Sequence, residues 1–372
     1  MSVFNSRSFK NHENVVFCSD DASGLKAIIA VHSTTLGPAA GGCRFWDYTA
    51  AHKHAPIDVA DNRAEEDAIY DVLRLSRGMS YKNAMAGLRL GGGKAVIIGN
   101  PKNIASTELA HAFGRAIQRL GGAYYTAEDV GTSPSFLAHV AETCEYVSGL
   151  EAGPFATGDP SPHTAIGVYA GMKAAIKHKF NKDSLKGLHV AIQGVGNVGG
   201  YLAKYLQDDG ATITIADINQ DNINRVLANG PAEVVSTHDI HKTECDIFSP
   251  CALGGGLNDA TLPEIKASII AGAANNQLET EGVHDEELRQ RDILYAPDYV
   301  INAGGIISIE SEIYKESLNE ANRKAKVLRI GETLTSIFKE SDKQQRPTGI
   351  IANEMAENII AKAKENKKAS AA

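Results

Sequence analysis

The sequence is short of the patterns that build disulfide frameworks, metal sites and membrane spans. Its five cysteines, Cys18, Cys43, Cys144, Cys245 and Cys251, are odd in number and scattered. None forms a Cys-x-x-Cys pair, so neither a disulfide framework nor a thiolate zinc site is indicated. The twelve histidines contain no His-Glu-x-x-His arrangement, and no metal is expected. No apolar run reaches the roughly 18–20 residues that a membrane helix needs. The opening Met1-Ser-Val-Phe-Asn-Ser-Arg7 lacks the charged-then-apolar order of a secretory signal. A basic excess is also missing: the formal net charge is −8, whereas nucleic-acid binding calls for a basic face. The lysines from Lys362 to Lys368 read as a solvated helix and tail. The expectation is a reduced, cytoplasmic, metal-free protein with neither a membrane nor a nucleic-acid partner.

What is present fits a soluble globular protein. With 372 residues, 43% hydrophobic and 22% charged, the chain is too long for one ordinary core and comfortable as two domains. Residues 25–32 read as a buried strand and 35–44 as a loop of small residues. The polar stretch 51–63 reads as a surface insertion. Ile69, Val72, Leu73 and Leu75 give a helical apolar face over about 65–82. A glycine-rich loop, Gly91-Gly-Gly-Lys94, then leads into a strand at 95–98. A helix over about 106–120 and a strand ending in Glu128 and Asp129 follow.

Between 149 and 162 the composition shifts to Gly, Pro, Asp and Ser, as an interdomain hinge would require. Beyond it strands alternate with helices, which implies a parallel, doubly wound sheet. The last helices, near 326–339 and 354–364, are expected to pack back towards the first domain.

Gln193-Gly194-Val195-Gly196-Asn197-Val198-Gly199 follows the apolar strand 189–192 directly and opens an amphipathic helix. That context turns a weak glycine pattern into a dinucleotide-binding, Rossmann-type signal. Gly194 permits the tight turn, Gly196 lets the backbone approach a pyrophosphate, and Gly199 lets the helix pack on the strand. Free N–H groups at the helix start meet the phosphate charge. Asp217 ends the next strand where an acid should bind the adenosine ribose. A carboxylate there repels a 2′-phosphate, and Ile218 and Asn219 supply no compensating cation, so NAD is preferred over NADP. The alternative is a structural glycine turn with Asp217 as an ordinary strand-end residue.

A dinucleotide site does not name a substrate. Lys82 and Lys94 stand out because small and apolar residues surround both: Ala84, Met85 and Ala86 for one, Ala95 to Ile98 for the other. Two amines near one pocket should have their proton affinities pushed apart. One can then stay charged to hold a carboxylate while the other serves as a base. Asp129 is the candidate carboxylate to pair with them; its plainer role would be to cap the helix after Thr132-Ser-Pro134. Glu128, its neighbour, should point to the opposite face.

These blocks resemble the Glu/Leu/Phe/Val dehydrogenase family over nearly the whole chain, closest to its leucine, valine and phenylalanine members. The resemblance rests on Leu36-Gly-Pro-Ala-Ala-Gly-Gly42, Met79-Ser-Tyr-Lys-Asn-Ala-Met-Ala-Gly87, Gly91-Gly-Gly-Lys94 and Thr126-Ala-Glu-Asp-Val-Gly131. It continues through Gly158-Asp-Pro-Ser-Pro162, Pro250-Cys-Ala-Leu253, Ala271-Gly-Ala-Ala-Asn-Asn-Gln277 and Pro297-Asp-Tyr-Val-Ile-Asn-Ala-Gly-Gly305.

The resemblance implies two α/β domains flanking a catalytic cleft: a substrate and oligomerisation domain over 1–148, a Rossmann NAD-binding domain over 149–342, and a C-terminal helix and tail over 343–372. It implies that Lys82 binds the substrate carboxylate with Asn275 and the Gly41-Gly42 backbone. Lys94 would be the catalytic lysine, and Asp129 the acid that moves protons to and from the amine. Thr164, Asn197, Val198, Asp217, Ala252 and Asn302 match positions that contact the cofactor, with Ile218 beside them. The expected reaction is reversible NAD-dependent deamination of an L-amino acid to a 2-oxo acid and ammonia, by a homo-oligomer such as a dimer or octamer.

Two departures from the family bear on specificity and packing. The 51–63 stretch is longer than the family's loop and lies outside the catalytic blocks. The side-chain pocket would be formed by Ala40, Ala127, Ile306 and Ile309; Ala40 enlarges it, and the isoleucines narrow it relative to valine. None of the four is ionic, so an apolar side chain of the leucine, valine or isoleucine type fits better than glutamate. A phenylalanine or tryptophan dehydrogenase is the nearest alternative. An NAD-binding sensor without catalysis conflicts with the intact Lys82, Lys94 and Asp129. A 2-hydroxy-acid dehydrogenase would leave the lysine pair unexplained.

Overall fold

A computed structural model describes residues 3–52, 57–252, 254–317 and 319–371. The chain forms two compact units, one made of Met1–Asp159, Ile309–Ser317 and Asn358–Ala372, the other of Pro160–Ser308 and Leu318–Glu357. The segment 149–159 thus clusters with the first unit. Part of the 51–63 stretch, residues 53–56, lies outside the described residues, as does Leu253.

The first unit is built on β1 (Asn14–Asp20), β2 (Leu25–Ser33), β3 (Ala39–Trp46), the long helix α1 (Ile57–Met85) and β4 (Gly91–Ile98). The short α2 (Pro101–Ile104), α3 (Thr107–Gln118), β5 (Tyr124–Glu128) and α4 (Pro134–Ala141) complete it, with the strands in the order β1-β2-β4-β3-β5. The sheet is mixed: β2 runs antiparallel to β1 and β4, whereas β3 is parallel to β4 and β5.

Alternation along the strands separates two apolar layers. Ala27, Ile29 and Val31, with Ala95 and Ile97, pack on Leu109, Phe113 and Ile117 of α3 and on Phe136 and Leu137 of α4. Ile28, Ala30 and Val96 face the other way, onto Ala64, Ala68, Val72 and Leu73 of α1.

Four elements depart from or add to the expectation. The helix α1 begins at Ile57 rather than near 65, because Ala60, Ala64 and Ala68 continue the buried stripe in one-turn steps through a polar-looking stretch. The small-residue segments at 39–46 and 91–94 are strand, not loop, since small residues let both faces of β3 and β4 be covered closely. The edge strand β1, on which no expectation was placed, is half exposed along its length.

The second unit opens with α5 (Ser161–Phe180) and continues through β6 (His189–Gln193), α6 (Asn197–Asp208), β7 (Thr212–Ala216), α7 (Gln220–Asn229), β8 (Glu233–Val234), β9 (Ile247–Pro250) and β10 (Ile269–Ile270). It then adds α8 (His284–Gln290), β11 (Leu294–Tyr295), α9 (Asp298–Ile301), α10 (Gly304–Ile313), α11 (Glu320–Leu328), α12 (Ile330–Gln344) and α13 (Thr348–Ala371); α10 and α13 each run from this unit into the other. Every pairing in its sheet is parallel, and the spatial order is β11-β10-β9-β6-β7-β8. Counted from the first strand of the unit, that is the 3-2-1-4-5-6 order of a doubly wound dinucleotide-binding sheet. No helix among the described residues is long and apolar enough to cross a membrane.

Candidate active site

The chemistry of the first unit gathers on the face of the sheet that α1 covers. Gly92, Lys94 and Val96 alternate onto that face of β4. A Cβ on Gly92 would lie 2.1 Å from the Ser80 nitrogen of α1, so only glycine lets helix and strand meet this closely. One residue before it, Gly91 accepts through its carbonyl oxygen from Asn83 Nδ2 at 2.6 Å, which locks the last turn of α1 to the head of β4. Lys82 sits in that last turn, half-buried.

Lys94 is 5% exposed, and its Nζ lies 3.1 Å from Asp129 Oδ2. Asp129 follows β5 directly. Its backbone N–H donates to Thr132 Oγ1 at 2.9 Å, and the Thr132 hydroxyl reaches the carbonyl oxygens of Cys43 and Asp129. The cap of α4 is Ser133, whose side chain accepts from the Phe136 N–H. Asp129 therefore has no capping duty. Burial pushes its carboxyl up, but Lys94 and Arg44 beside it outweigh that and hold it below the usual carboxylate range. Glu128 turns to an exposed position, as the alternation requires.

Gly41 and Gly42 lie in β3 beside Thr126 and Ala127 of β5. A Cβ on Gly42 would meet the Glu128 carbonyl oxygen at 2.4 Å and Asp129 Cβ at 2.8 Å. Arg44, two residues further along β3, lies on the same face and reaches Asp129 with Nε at 3.3 Å and Asp71 with Nη1 at 2.7 Å. Sequence reasoning passed over Arg44 and Asp71. The signal was available in the two-residue period that carries Gly42 to Arg44.

In the second unit the glycine loop has the expected conformations. Gly194 adopts φ +92°, a Cβ on Gly199 would lie 2.1 Å from the Gly194 carbonyl oxygen, and nothing stands within 4 Å of a Cβ on Gly196. Gly196 caps α6 without a side-chain hydrogen bond, leaving the first-turn N–H groups, from Asn197 and Val198 onward, open to an anion. Ala252 packs against Gly194.

Asp217 accepts from the Val195 N–H through Oδ2 and from the Asn219 N–H through Oδ1, each at 2.8 Å. Ile218 is 95% exposed. Arg225, the cation of this corner that the sequence reading missed, donates to the carbonyl oxygens of Val195 and Gly196.

Asn302 is buried and donates through Nδ2 to the Ala273 carbonyl oxygen at 3.0 Å and to Asn275 Oδ1 at 2.7 Å. Its own Oδ1 is buried without a partner among the described residues. An orphaned acceptor of this kind normally has an unseen donor, and a carboxamide N–H of a nicotinamide has the right chemistry. By occupying Asn275 Oδ1, Asn302 leaves the exposed Asn275 amide as a donor. Thr164, in the first turn of α5, bonds back to the Pro160 carbonyl oxygen and lies against Gly305. The open glycine cradle, the bare helix start and the orphaned amide together fit a dinucleotide.

Ala40, Ala127 and Ile309 are buried in the first unit and Ile306 in the second. Elsewhere, among the described residues, His111, His139 and Glu142 gather on α3 and at the end of α4. Hydrogen bonds of 2.7 and 3.1 Å from the two rings to Glu142 account for that grouping.

Comparison with known proteins gives one consistent picture. Residues 12–146 match the model of the Glu/Leu/Phe/Val dehydrogenase dimerisation domain. Residues 159–220 and 218–368 match the Glutamate/Leucine/Phenylalanine/Valine dehydrogenase model. The leucine dehydrogenase of Geobacillus stearothermophilus is 46% identical over 97% of this chain and 94% of its own. The valine dehydrogenase of Streptomyces virginiae is 45% identical over 95% of each. The crystal structure of L-tryptophan dehydrogenase from Nostoc punctiforme superimposes with a TM-score of 0.78 at 40% identity, over 95% of this chain and 97% of that one.

Proposed function

The chain belongs to the Glu/Leu/Phe/Val dehydrogenase family, and from that premise we propose that it catalyses the reversible, NAD-dependent oxidative deamination of an apolar L-amino acid of the leucine, valine or isoleucine type. The observation that carries this reading is the buried contact of 3.1 Å between Lys94 Nζ and Asp129 Oδ2. It joins an amine and an ionised carboxylate where water is scarce.

In this reading residues 1–148 bind and transform the amino acid, 149–342 hold the cofactor, and 343–372 pack back on the first part. Lys82 and the Asn275 amide hold the substrate carboxylate, with the Gly41 and Gly42 backbone close by. Asp129 receives a proton from the substrate ammonium, which frees the nitrogen lone pair. NAD, when bound, would supply the acceptor for the hydride of Cα. The resulting iminium is attacked by a water that Lys94 deprotonates. Proton return from Asp129 to nitrogen then lets the carbinolamine collapse: the C–N bond breaks, the hydroxyl proton passes to the departing ammonia, and the 2-oxo acid and ammonium leave.

Asn197, Val198 and the loop glycines would hold the pyrophosphate, Asp217 and Ile218 the adenosine ribose, and Thr164, Ala252 and Asn302 the nicotinamide half. Ala40, Ala127, Ile306 and Ile309 line the side-chain pocket. The enzyme works on small molecules alone, in the cytoplasm, as a homo-oligomer.

Steady-state rates on a panel of apolar amino acids with NAD test the reading. Leucine or valine should be turned over, and no turnover on any of them sinks it. Lys94→Ala should still bind NADH while kcat falls by about 100-fold or more, the loss of a general base. Normal turnover in that variant would remove Lys94 from the mechanism. One observation favours an aromatic substrate: the small Ala40, together with the likeness to the tryptophan dehydrogenase. A kcat/KM higher on phenylalanine or tryptophan than on leucine decides for it.

A further inference from the structure

Lys94 is not the only cation on Asp129. Arg44 Nε and Lys94 Nζ approach the same oxygen, Oδ2, at 3.3 and 3.1 Å. The Arg44 guanidinium is itself held from the other side by Asp71 Oδ2 at 2.7 Å, and that oxygen also accepts from the Tyr48 hydroxyl at 2.8 Å. A line of contacts thus runs Tyr48, Asp71, Arg44, Asp129, Lys94, with two cations balanced by two carboxylates. Asp129 Oδ1 has no hydrogen-bond partner among the described residues, and the side chain keeps 14% exposure. Thr132 fixes the backbone of Asp129; the two cations fix the rotation of its carboxylate.

We propose that Arg44 is a positioning residue. Anchored by Asp71, it shares Oδ2 of Asp129 with Lys94 and so turns Oδ1 outward as the acceptor for the substrate ammonium proton. This rests on the functional reading above and deepens it. The role needs an arginine, because a planar guanidinium with several donors spans two carboxylates at once, whereas a lysine ammonium is a single point of charge. Nothing in the role requires Arg44 to touch the substrate.

Charge gives the sign of a second effect. Asp129 is faced by Lys94 on β4 and Arg44 on β3, and by the neutral Cys43 thiol and Tyr124 phenol, which burial pushes up. Glu128 is its neighbour on β5. Losing the Arg44 cation lets burial raise the proton affinity of Asp129. Losing the Asp71 anion acts in the opposite direction.

The test compares full-length wild type, Arg44→Ala, Arg44→Lys and Asp71→Asn with leucine and NAD. Arg44→Ala should lose about 100-fold in kcat, the scale of a misplaced catalytic group, while NADH binding is unchanged. Added guanidinium should restore activity in a saturable way that sodium at equal ionic strength does not reproduce. The acid limb of kcat/KM should move to higher pH in Arg44→Ala and to lower pH in Asp71→Asn. Arg44→Lys should remain at least tenfold down. Wild-type kcat in Arg44→Lys overturns the proposal even if Arg44→Ala fails to fold, and so does a folded Arg44→Ala that guanidinium cannot restore. A wild type inactive on every apolar amino acid overturns the functional reading and the proposal together; with an active wild type, failure in the variants overturns the role of Arg44 alone.

Discussion

Asp217 presents each carboxylate oxygen to a different stretch of backbone, the glycine loop at Val195 and the turn at Asn219. The same carboxylate therefore shapes the loop that would cradle the pyrophosphate and carries the charge that disfavours a 2′-phosphate. Arg225 does not offset that charge for a ligand, because its Nη2 is engaged with the carbonyl oxygens of Val195 and Gly196. Asp217→Asn keeps the size, removes the charge and can preserve only one of the two backbone contacts well. A hydrogen bond to a charged group contributes about 1.5–3 kcal/mol. The expected outcome is a loss of roughly tenfold or more in kcat/KM for NAD, with a smaller loss or a gain for NADP. The measured quantity is the ratio of the two cofactors' kcat/KM. An unchanged ratio would reduce Asp217 to a loop brace.

Elements were legible where one period dominated. In the second unit short apolar strands alternate with amphipathic helices between glycines, and the expected strand 189–192, the helix opening at the glycine motif and the strand end at Asp217 lie within about a residue of the observed limits of β6, α6 and β7. In the first unit β3 and the first half of β4 were expected as loop, because Ala39, Ala40, Gly41, Gly42 and the three glycines 91–93 are covered on both faces and leave no alternation to read. Lys82, Lys94 and Asp129 could be found from their motif blocks. Arg44 was harder to find, because its importance lies in two partners 27 and 85 residues away in sequence.

The close approach that hid the start of β4 also makes it fragile. A Cβ on Gly92 would sit 2.1 Å from the Ser80 nitrogen and 2.2 Å from its Oγ, so Gly92→Ala must push the last turns of α1 away. Overpacking of this kind costs about 1–3 kcal/mol, read as a lower Tm. Since Lys82 rides on that end of the helix, KM for the amino acid should rise several-fold while NADH affinity stays. A fall in Tm with unchanged KM would show that the α1 contact with β4 does not set the position of Lys82.

At the scale of the whole molecule, the two units have cores of their own, one around β2 and β4 and one around β6, β9 and β10. Loss of stability can therefore begin in one of them, and unfolding need not be two-state. The first unit holds a partly buried pair of histidines on which acid should act. His12 and His32 stack edge to face with ring centroids 4.9 Å apart. His12 Nε2 lies 3.0 Å from the Leu73 carbonyl oxygen, and His32 Nδ1 lies 2.8 Å from Ser80 Oγ. Burial, then His12 and Arg77, bring His32 down to about 4 from its usual 6.5.

A base whose affinity for protons falls on folding leaves the unfolded chain with more bound protons between those two values. Its contribution is fully present above the unfolded value and is lost as pH falls towards the folded one. At about 1.4 kcal/mol per unit, the first unit should lose on the order of 3 kcal/mol between pH 6.5 and 4, before most carboxylates titrate. His32→Asn removes the titrating ring. Thermal unfolding followed across that range should show a Tm that drops steeply with acid in wild type and much less in the variant. Parallel curves for the two proteins would place the acid sensitivity elsewhere.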